Sequence, residues 1–474
     1  MNNRKYRIVS LFSGCGGLDW GFEMAKEFEV IWANDIFQPS CETFAKNFKL
    51  KVYADPEEQP TEPSIFAGDV KKINFRKTLD GKNIDIITGG PPCQDFSVIR
   101  GSGKRKGIKV KRGKLYTHFV RALISLQPKA FVFENVKGLM SANKRIAYTT
   151  IMEDFQSLET KSSEIKEEFP EFSANFKKTN GVKEYEIIFS NIVDFSKLGV
   201  PQKRERLVII GLRKDLASLL PITGFSLEKI KEDVEKSLRG EGSLVSNFPL
   251  TPLEVFHGDV LSGVSEEYKK AMHEYKEVVG SIKSERSEEF TKNVWPNYSF
   301  EIWKDYIYLN KLDGKTIDRE KVEAEHIRIL QELGFYRNPL EEKTFSDKSN
   351  EILKESESVV TRMSFIPPAE NHEFVKGTKH TVVGLMSNIY RRIHPLQPSP
   401  TIIAMGGGGT WGYHYARSRQ KLTNRERARL QTFPDNFLFS GKPSEVRRQI
   451  GEAVPPLASK RIAEIVLSIV SMKK

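Results

Sequence analysis

Cys93 and Glu134 are the two residues of this chain whose types and settings best suit chemistry. Cys93 lies in the run Pro91-Pro92-Cys93-Gln94, just past the apolar segment Ile84-Asp85-Ile86-Ile87-Thr88. Glu134 closes a second apolar segment, Phe131-Val132-Phe133, and is followed by Asn135-Val136. If both segments are neighbouring strands, the thiol and the carboxylate meet at strand carboxyl ends, where open α/β sheets gather their ligands. A thiol beside a carboxylate, near a cofactor loop, can carry out nucleophilic catalysis on a heterocycle. A lone cysteine among apolar residues is usually a small buried hydrophobe. Two stiff prolines before Cys93, and the polar Gln94, Asp95 and Ser97 after it, favour a site instead.

The surrounding pattern supplies the elements that position these groups. Tyr6 to Phe12 is an apolar run ending in Ser13-Gly14-Cys15-Gly16-Gly17, and Leu18 to Phe28 carries apolar residues at helical spacing. Val30 to Ala33 reads as a second strand ending at Asn34-Asp35, and Ser64 to Val70 as a further segment holding Gly68-Asp69. The alternation predicts a doubly wound, mostly parallel α/β sheet. The first glycine turn is not the dinucleotide fingerprint, because Asp19 stands where its third glycine would be. Asp35 follows that turn at the spacing of a ribose-binding carboxylate. Together they suit an adenosine-bearing cofactor without a pyrophosphate, although a purely structural turn has the same pattern. Tyr185 to Val193 and Arg206 to Leu212 read as a hairpin closing the sheet. Residues 142–176 read as helix with a charged stretch, and Pro455 to Met472 as a final amphipathic helix. Thr423 and Glu426 form a capping box at the start of a short helix that Pro434 closes.

Between Arg100 and Lys114 the chain is basic and glycine-rich with no acidic residue, which suits a lid gripping phosphates. In Gln202-Lys203-Arg204-Glu205-Arg206 two arginines on alternate positions predict one strand face able to hold a phosphate or a carbonyl. The net charge of +12 fits a polyanionic partner. Three cysteines without a C-x-x-C pair argue against a disulfide framework and for a reducing compartment. Cys93 lacks the P-C-x-x-C spacing of zinc deaminases, and no cluster has metal-ligand spacing, so no metal is expected. No apolar run reaches the length of a membrane span and no signal peptide is expected, which leads to a cytoplasmic, nucleoid-associated protein.

Seven blocks in order resemble the cytosine-5 DNA methyltransferases. They are Phe12-Ser13-Gly14-Cys15-Gly16-Gly17, Gly90-Pro91-Pro92-Cys93-Gln94, Arg112-Gly113-Lys114-Leu115, Glu134-Asn135-Val136, Gln202-Lys203-Arg204-Glu205-Arg206, Pro398-Ser399-Pro400-Thr401-Ile402 and Gly451-Glu452-Ala453-Val454. The resemblance implies the S-adenosylmethionine-dependent methyltransferase fold and S-adenosylmethionine as methyl donor. It implies double-stranded DNA as substrate, with the target cytosine flipped out of the duplex. It assigns Cys93 as nucleophile, Glu134 as the group near ring nitrogen 3 and Arg206 as the holder of the base carbonyl, with Arg204 supporting them. Phe12, Gly14, Gly16, Asp35, Asp69 and Leu115 would line the cofactor pocket, with Asp35 on the ribose and Asp69 near the adenine amino group. Gln94, Ser97, Arg105 and Gln202 would contact DNA.

The same resemblance implies a catalytic and cofactor-binding domain over 1–213, a smaller target-recognition domain over 214–418, and a hinge returning to the catalytic domain over 419–474. It makes the chain a monomer of restriction-modification type, with a companion endonuclease for the same site. Two positions depart from the pattern. Glu452 stands where asparagine is usual, and the stretch before Arg112 is basic where an acidic residue is usual. A transfer-RNA cytosine-5 methyltransferase and an inactive nucleic-acid-binding relative are the competing readings. The length of the region 213–391 favours duplex DNA over the first. The joint presence of Cys93, Glu134, Arg204 and Arg206 argues against the second.

Overall fold

Eight strands form one sheet in a computed structural model that describes residues 4–92, 115–160, 162–163, 182–341, 343–382, 389–404 and 412–472. The strands are β1 (Tyr6–Leu11), β2 (Phe28–Asp35), β3 (Lys51–Tyr53), β4 (Ser64–Ala67), β5 (Ile86–Gly89), β6 (Ala130–Val136), β7 (Tyr185–Asp194) and β8 (Glu205–Arg213). Their order across the sheet is β3-β4-β2-β1-β5-β6-β8-β7. All pairings from β3 to β6 are parallel, and β8 runs antiparallel to both β6 and β7. This is the mostly parallel α/β sheet expected, closed at one edge by the expected hairpin. The chain proceeds from β1 to β2 on one side and returns through β5 on the other. The crevice beyond β1 is therefore the switch point where such sheets take ligands.

The strands are continuous apolar runs because both faces are covered. Ile8 and Val9 point to opposite faces, as successive strand residues must, and neither is exposed to solvent. Val9, Leu11, Phe131 and Phe133 share a core with Phe119 and Phe155, which lie on the helices Tyr116–Leu126 and Ile146–Gln156. The Phe119 ring lies 5.8 Å from Phe131 and 5.4 Å from Phe133, at edge-on angles that suit aromatic quadrupoles. The first helix covers Gly17–Met24, shorter than the pattern to Phe28 predicts. Lys26 adopts a left-handed backbone just beyond it, and Phe28 already belongs to β2.

The chain divides into two compact units. The first comprises Met1–Asp194, Glu205–Glu241 and Val454–Lys474, and the second Phe195–Arg204 and Gly242–Ala453. The whole sheet and the last helix, Pro456–Ser471, belong to the first. The second consists of short helices pinned by buried polar groups. His326 Nδ1 faces Glu254 Oε1 at 2.7 Å, and Glu254 Oε2 caps its own helix through Thr251. Arg392 donates to the carbonyl oxygens of Met363 and Ile366 at 2.6 and 2.8 Å, and Arg425 to Asp347 at 2.8 Å. The expected capping box at Thr423 and Glu426 opens the helix Asn424–Leu430. The Trp295 ring packs against both Tyr298 and Phe300. Among the described residues no helix is long and apolar enough to cross a membrane.

Candidate active site

The first glycine turn leaves β1 at its carboxyl end. Phe12 and Gly14 adopt left-handed backbone angles, φ 53° and 54°, and Gly16 has φ 93°. Side chains rarely take these values, which accounts for the glycines. A Cβ at Gly16 would come within 2.6 Å of the Phe48 ring, whereas a Cβ at Gly14 would meet nothing within 4 Å. Gly16 is thus glycine for internal packing, and Gly14 opens onto space that a ligand can use. The Gly14 N–H donates to Asp35 Oδ2 at 2.9 Å, and the Phe37 N–H donates to Oδ1 at 2.8 Å. The Asp35 carboxylate is thereby fixed at the end of β2, beside the open turn. This arrangement fits a ribose diol.

Asn34 donates to the carbonyls of Phe66 and Gly68 at 3.0 and 2.9 Å, which ties the ends of β2 and β4 together. Asp69 follows directly and accepts from the Lys71 N–H at 3.0 Å, capping a short turn. Leu115 sits at the start of the helix Tyr116–Leu126 and is half-buried. Asp19, the residue that breaks the dinucleotide fingerprint, is fully buried and accepts from Thr88 Oγ1 of β5 at 2.9 Å. Burial pushes its carboxyl up to about 6. Sequence reasoning noted Asp19 only as a missing glycine. Its polarity inside an otherwise apolar helix face was the available signal.

At the carboxyl ends of β5 and β6 the geometry is tight. Glu134 Oε1 pairs with Arg206 Nε at 3.1 Å, and both side chains are largely enclosed. Strand pairing sets this contact, since β6 and β8 place Glu134 opposite Val208 and Val136 opposite Arg206. Burial holds the Arg206 guanidinium below its ordinary range, and the facing carboxylate offsets part of that effect. The other carboxylate oxygen lies above Gly90, where an added Cβ would stand 2.9 Å from Oε2. The adjacent Asn135 is buried and donates from Nδ2 to the Pro91 carbonyl at 3.0 Å, while its Oδ1 accepts the Val136 N–H at 2.9 Å. The structure therefore brings Glu134, Arg206, Gly90 and Pro91 together. Cys93, Gln94, Ser97 and Arg105, and the basic stretch containing Arg105, lie outside the described residues.

Gln202 and Arg204 occupy a different setting, inside the second unit. Neither is exposed to solvent. Gln202 donates to Gln431 Oε1 at 2.9 Å and accepts the Ile402 N–H at 2.7 Å. Arg204 donates to the Ile402 and Gly451 carbonyls, both at 3.1 Å. These contacts make both residues internal clamps and do not place either side chain on a surface that DNA could touch. They also separate Arg204 from the strand face expected for it, because β8 begins at Glu205.

Lys203, between the two clamps, is exposed and borders a cavity of about 430 Å³ that Arg391, Gln397 and Thr401 also line. Among the described residues no acidic side chain lines it. Glu452 ends the helix Pro443–Glu452 with its side chain half-exposed, and Arg448 Nε lies 3.1 Å from its Oε1.

Residues 6–468 match the C-5 cytosine-specific DNA methylase family. The chain is 50% identical to the DNA (cytosine-5-)-methyltransferase M.ApeKI of Aeropyrum pernix, over 98% of this chain and 99% of the relative. It is 32% identical to the type II methyltransferase M.NgoFVII of Neisseria gonorrhoeae, over 99% of this chain and 88% of the relative. A solved DNA modification methyltransferase encoded within an E. coli prophage superposes with a TM-score of 0.54 at 22% identity, covering 98% of this chain and 99% of that one, a likeness of fold. The chain belongs to the C-5 cytosine-specific DNA methylase family.

Proposed function

We propose that this chain methylates carbon 5 of a flipped-out cytosine in a specific duplex DNA sequence, with Cys93 as the nucleophile. The observation that carries the residue assignment is the pairing of Glu134 with Arg206 directly above Gly90, at the strand ends from which the chain runs to Cys93. Cytosine carbon 5 is a poor nucleophile. Addition of the Cys93 thiolate at carbon 6 makes it electron-rich. Glu134 then stabilises the adduct at ring nitrogen 3. Arg206 orients that carboxylate and holds the base carbonyl. S-adenosylmethionine, when bound, supplies an electrophilic methyl group on sulfur. Asp35 would hold its ribose and Gly14 would allow the backbone to approach it. Asp69 and Leu115 would border the adenine side, with Phe12 and Gly16 shaping the turn.

Base flipping costs a few kcal/mol, which DNA contacts must supply. Lys203 and Arg391, which line a cavity with no acidic group among the described residues, fit phosphate binding in the second unit. The basic run around Arg105, with Gln94 and Ser97, would add contacts near the reacting base. In this reading residues 214–418 choose the target sequence, 1–213 carry the chemistry and 419–474 return the chain to the catalytic domain. Arg204 and Gln202 act as clamps of the chain before Arg206. The protein works as a monomer beside an endonuclease that reads the same site, a pairing suggested by the type II names of relatives.

The test is methyl transfer from labelled cofactor to duplex DNA and to transfer RNA, followed by bisulfite sequencing of a host genome expressing the chain. Methylated cytosines confined to one short DNA sequence are expected. Preferential labelling of transfer RNA would refute the reading.

A further inference from the structure

Asn135 follows Glu134 in sequence, and its side chain joins β6 to the chain that leaves β5. Its Nδ2 donates to the Pro91 carbonyl beyond β5 at 3.0 Å, and its Oδ1 accepts the Val136 N–H of β6 at 2.9 Å. Both contacts are buried or nearly so, and the residue is 4% exposed. Asn135 is adjacent in sequence to Glu134, and Pro91 precedes Cys93 by two residues. Gly90 completes the arrangement from the other side, directly below the Glu134 carboxylate. One amide therefore fixes the point at which the chain leaves β5 relative to the point at which Glu134 leaves β6. Parallel strands pair through their own ladder only as far as Gly89 and Phe133. Beyond that register the Asn135 amide links the two exits.

We infer that Asn135 is a positioning residue that, through the Pro91 carbonyl, fixes relative to Glu134 the point from which the chain runs to Cys93. This rests on the proposed nucleophilic role of Cys93. The amide makes no covalent contribution. Its effect is geometric, and misplacing reacting groups by a fraction of an ångström slows a step that depends on their alignment. The donor is the essential half. A carboxylate in its place could still accept the Val136 N–H, but it would face the Pro91 carbonyl with no proton to give.

Asn135→Asp isolates that donor. The expected result is a fall in single-turnover methylation, and in the rate of covalent capture on DNA carrying 5-fluorocytosine, of about ten- to hundredfold at pH 8. Affinity for S-adenosylmethionine and for DNA should stay within about threefold of wild type. A buried carboxyl protonates more readily than an exposed one, and once protonated it can donate to Pro91 again. The deficit relative to wild type should therefore shrink as pH is lowered from 8 to 6, a recovery that loss of folding would not produce. Asn135→Ala, which keeps no donor at any pH, should show the same deficit without the recovery, and it serves if the first variant does not fold.

Equal rates for wild type and both variants would overturn the inference. So would a loss that appears only in cofactor or DNA affinity, or a deficit in Asn135→Asp that does not change with pH. Cys93→Ser measured alongside separates the two levels. If it methylates at the wild-type rate, the nucleophile assignment fails. If it is inactive while Asn135→Asp is unimpaired, only the positioning role fails.

Discussion

Replacing Gly90 by alanine tests the spacing on which the site depends. The added Cβ would stand 2.9 Å from Glu134 Oε2 and 3.5 Å from the Glu134 carbonyl oxygen. The second contact is ordinary, while the first must relax by roughly 0.5 Å to reach van der Waals separation. The colliding atom is the end of a side chain, and Gly90 does not hold a left-handed backbone, so the fold itself should tolerate the change. Its stability should move by less than about 1 kcal/mol, with the entropic gain of Gly→Ala offsetting part of the crowding. The carboxylate, however, must move relative to Arg206, its partner at 3.1 Å. A misplacement of 1 Å costs about a hundredfold in rate, so half of that predicts a loss of about tenfold. Single-turnover methyl transfer to duplex DNA, read beside thermal unfolding, measures both quantities. A rate within twofold of wild type would refute the claim that Gly90 is glycine to seat Glu134. A large fall in melting temperature would show that the crowding falls on the fold instead of the site.

Three further outcomes follow from the same structure. Asp19 carries a folded value of about 6 against an ordinary 3.8 because it is buried, so the native state loses stability as pH rises between these values. Asp19→Asn should therefore stabilise the protein above pH 6, by at most about 3 kcal/mol, and give no gain near pH 4, as thermal unfolding across pH would show. Lys203→Ala with Arg391→Ala should weaken DNA binding and lower the log–log salt slope by about 0.9 for each phosphate that is no longer neutralised, with an unchanged slope placing DNA elsewhere. Glu452→Asn should change cofactor affinity by less than about tenfold in calorimetric titration, since Glu452 is half-exposed and paired with Arg448 within its helix.

The sheet was legible because its strands are long apolar runs that alternate with helical spacing. Phe131-Val132-Phe133 is enclosed on both faces, and such a run has few other uses. β3 escaped notice because it has three residues, Lys51–Tyr53, of which one is buried. Glu134 and Arg206 could be named from their blocks, but their contact depends on the antiparallel register of β6 and β8, which sequence spacing does not encode. The burial of Gln202 and Arg204 was not legible, for a physical reason. Polar side chains next to a strand carry no sign of burial in the sequence, and here Arg204 donates to carbonyls distant in sequence, at Ile402 and Gly451. The burial of Arg392, Arg425 and Arg429 was equally hidden, in a region whose short helices carry little periodic signal. Asn135 was visible only as a letter in a motif. Its function emerges from the hydrogen bond to Pro91.

The central claim is that Cys93 forms a covalent bond to the base, and its most direct measurement is capture on duplex DNA carrying 5-fluorocytosine in the presence of S-adenosylmethionine. Release of the enzyme requires loss of the proton on carbon 5, and fluorine cannot leave in that way. The account predicts a denaturation-resistant complex with wild-type protein, attached through Cys93 when the peptide is mapped by mass spectrometry, and none with Cys93→Ala, which should still bind DNA through its phosphate contacts. A wild-type protein that methylates ordinary DNA yet is never captured, or a Cys93→Ala variant that retains more than a few per cent of turnover, would contradict it.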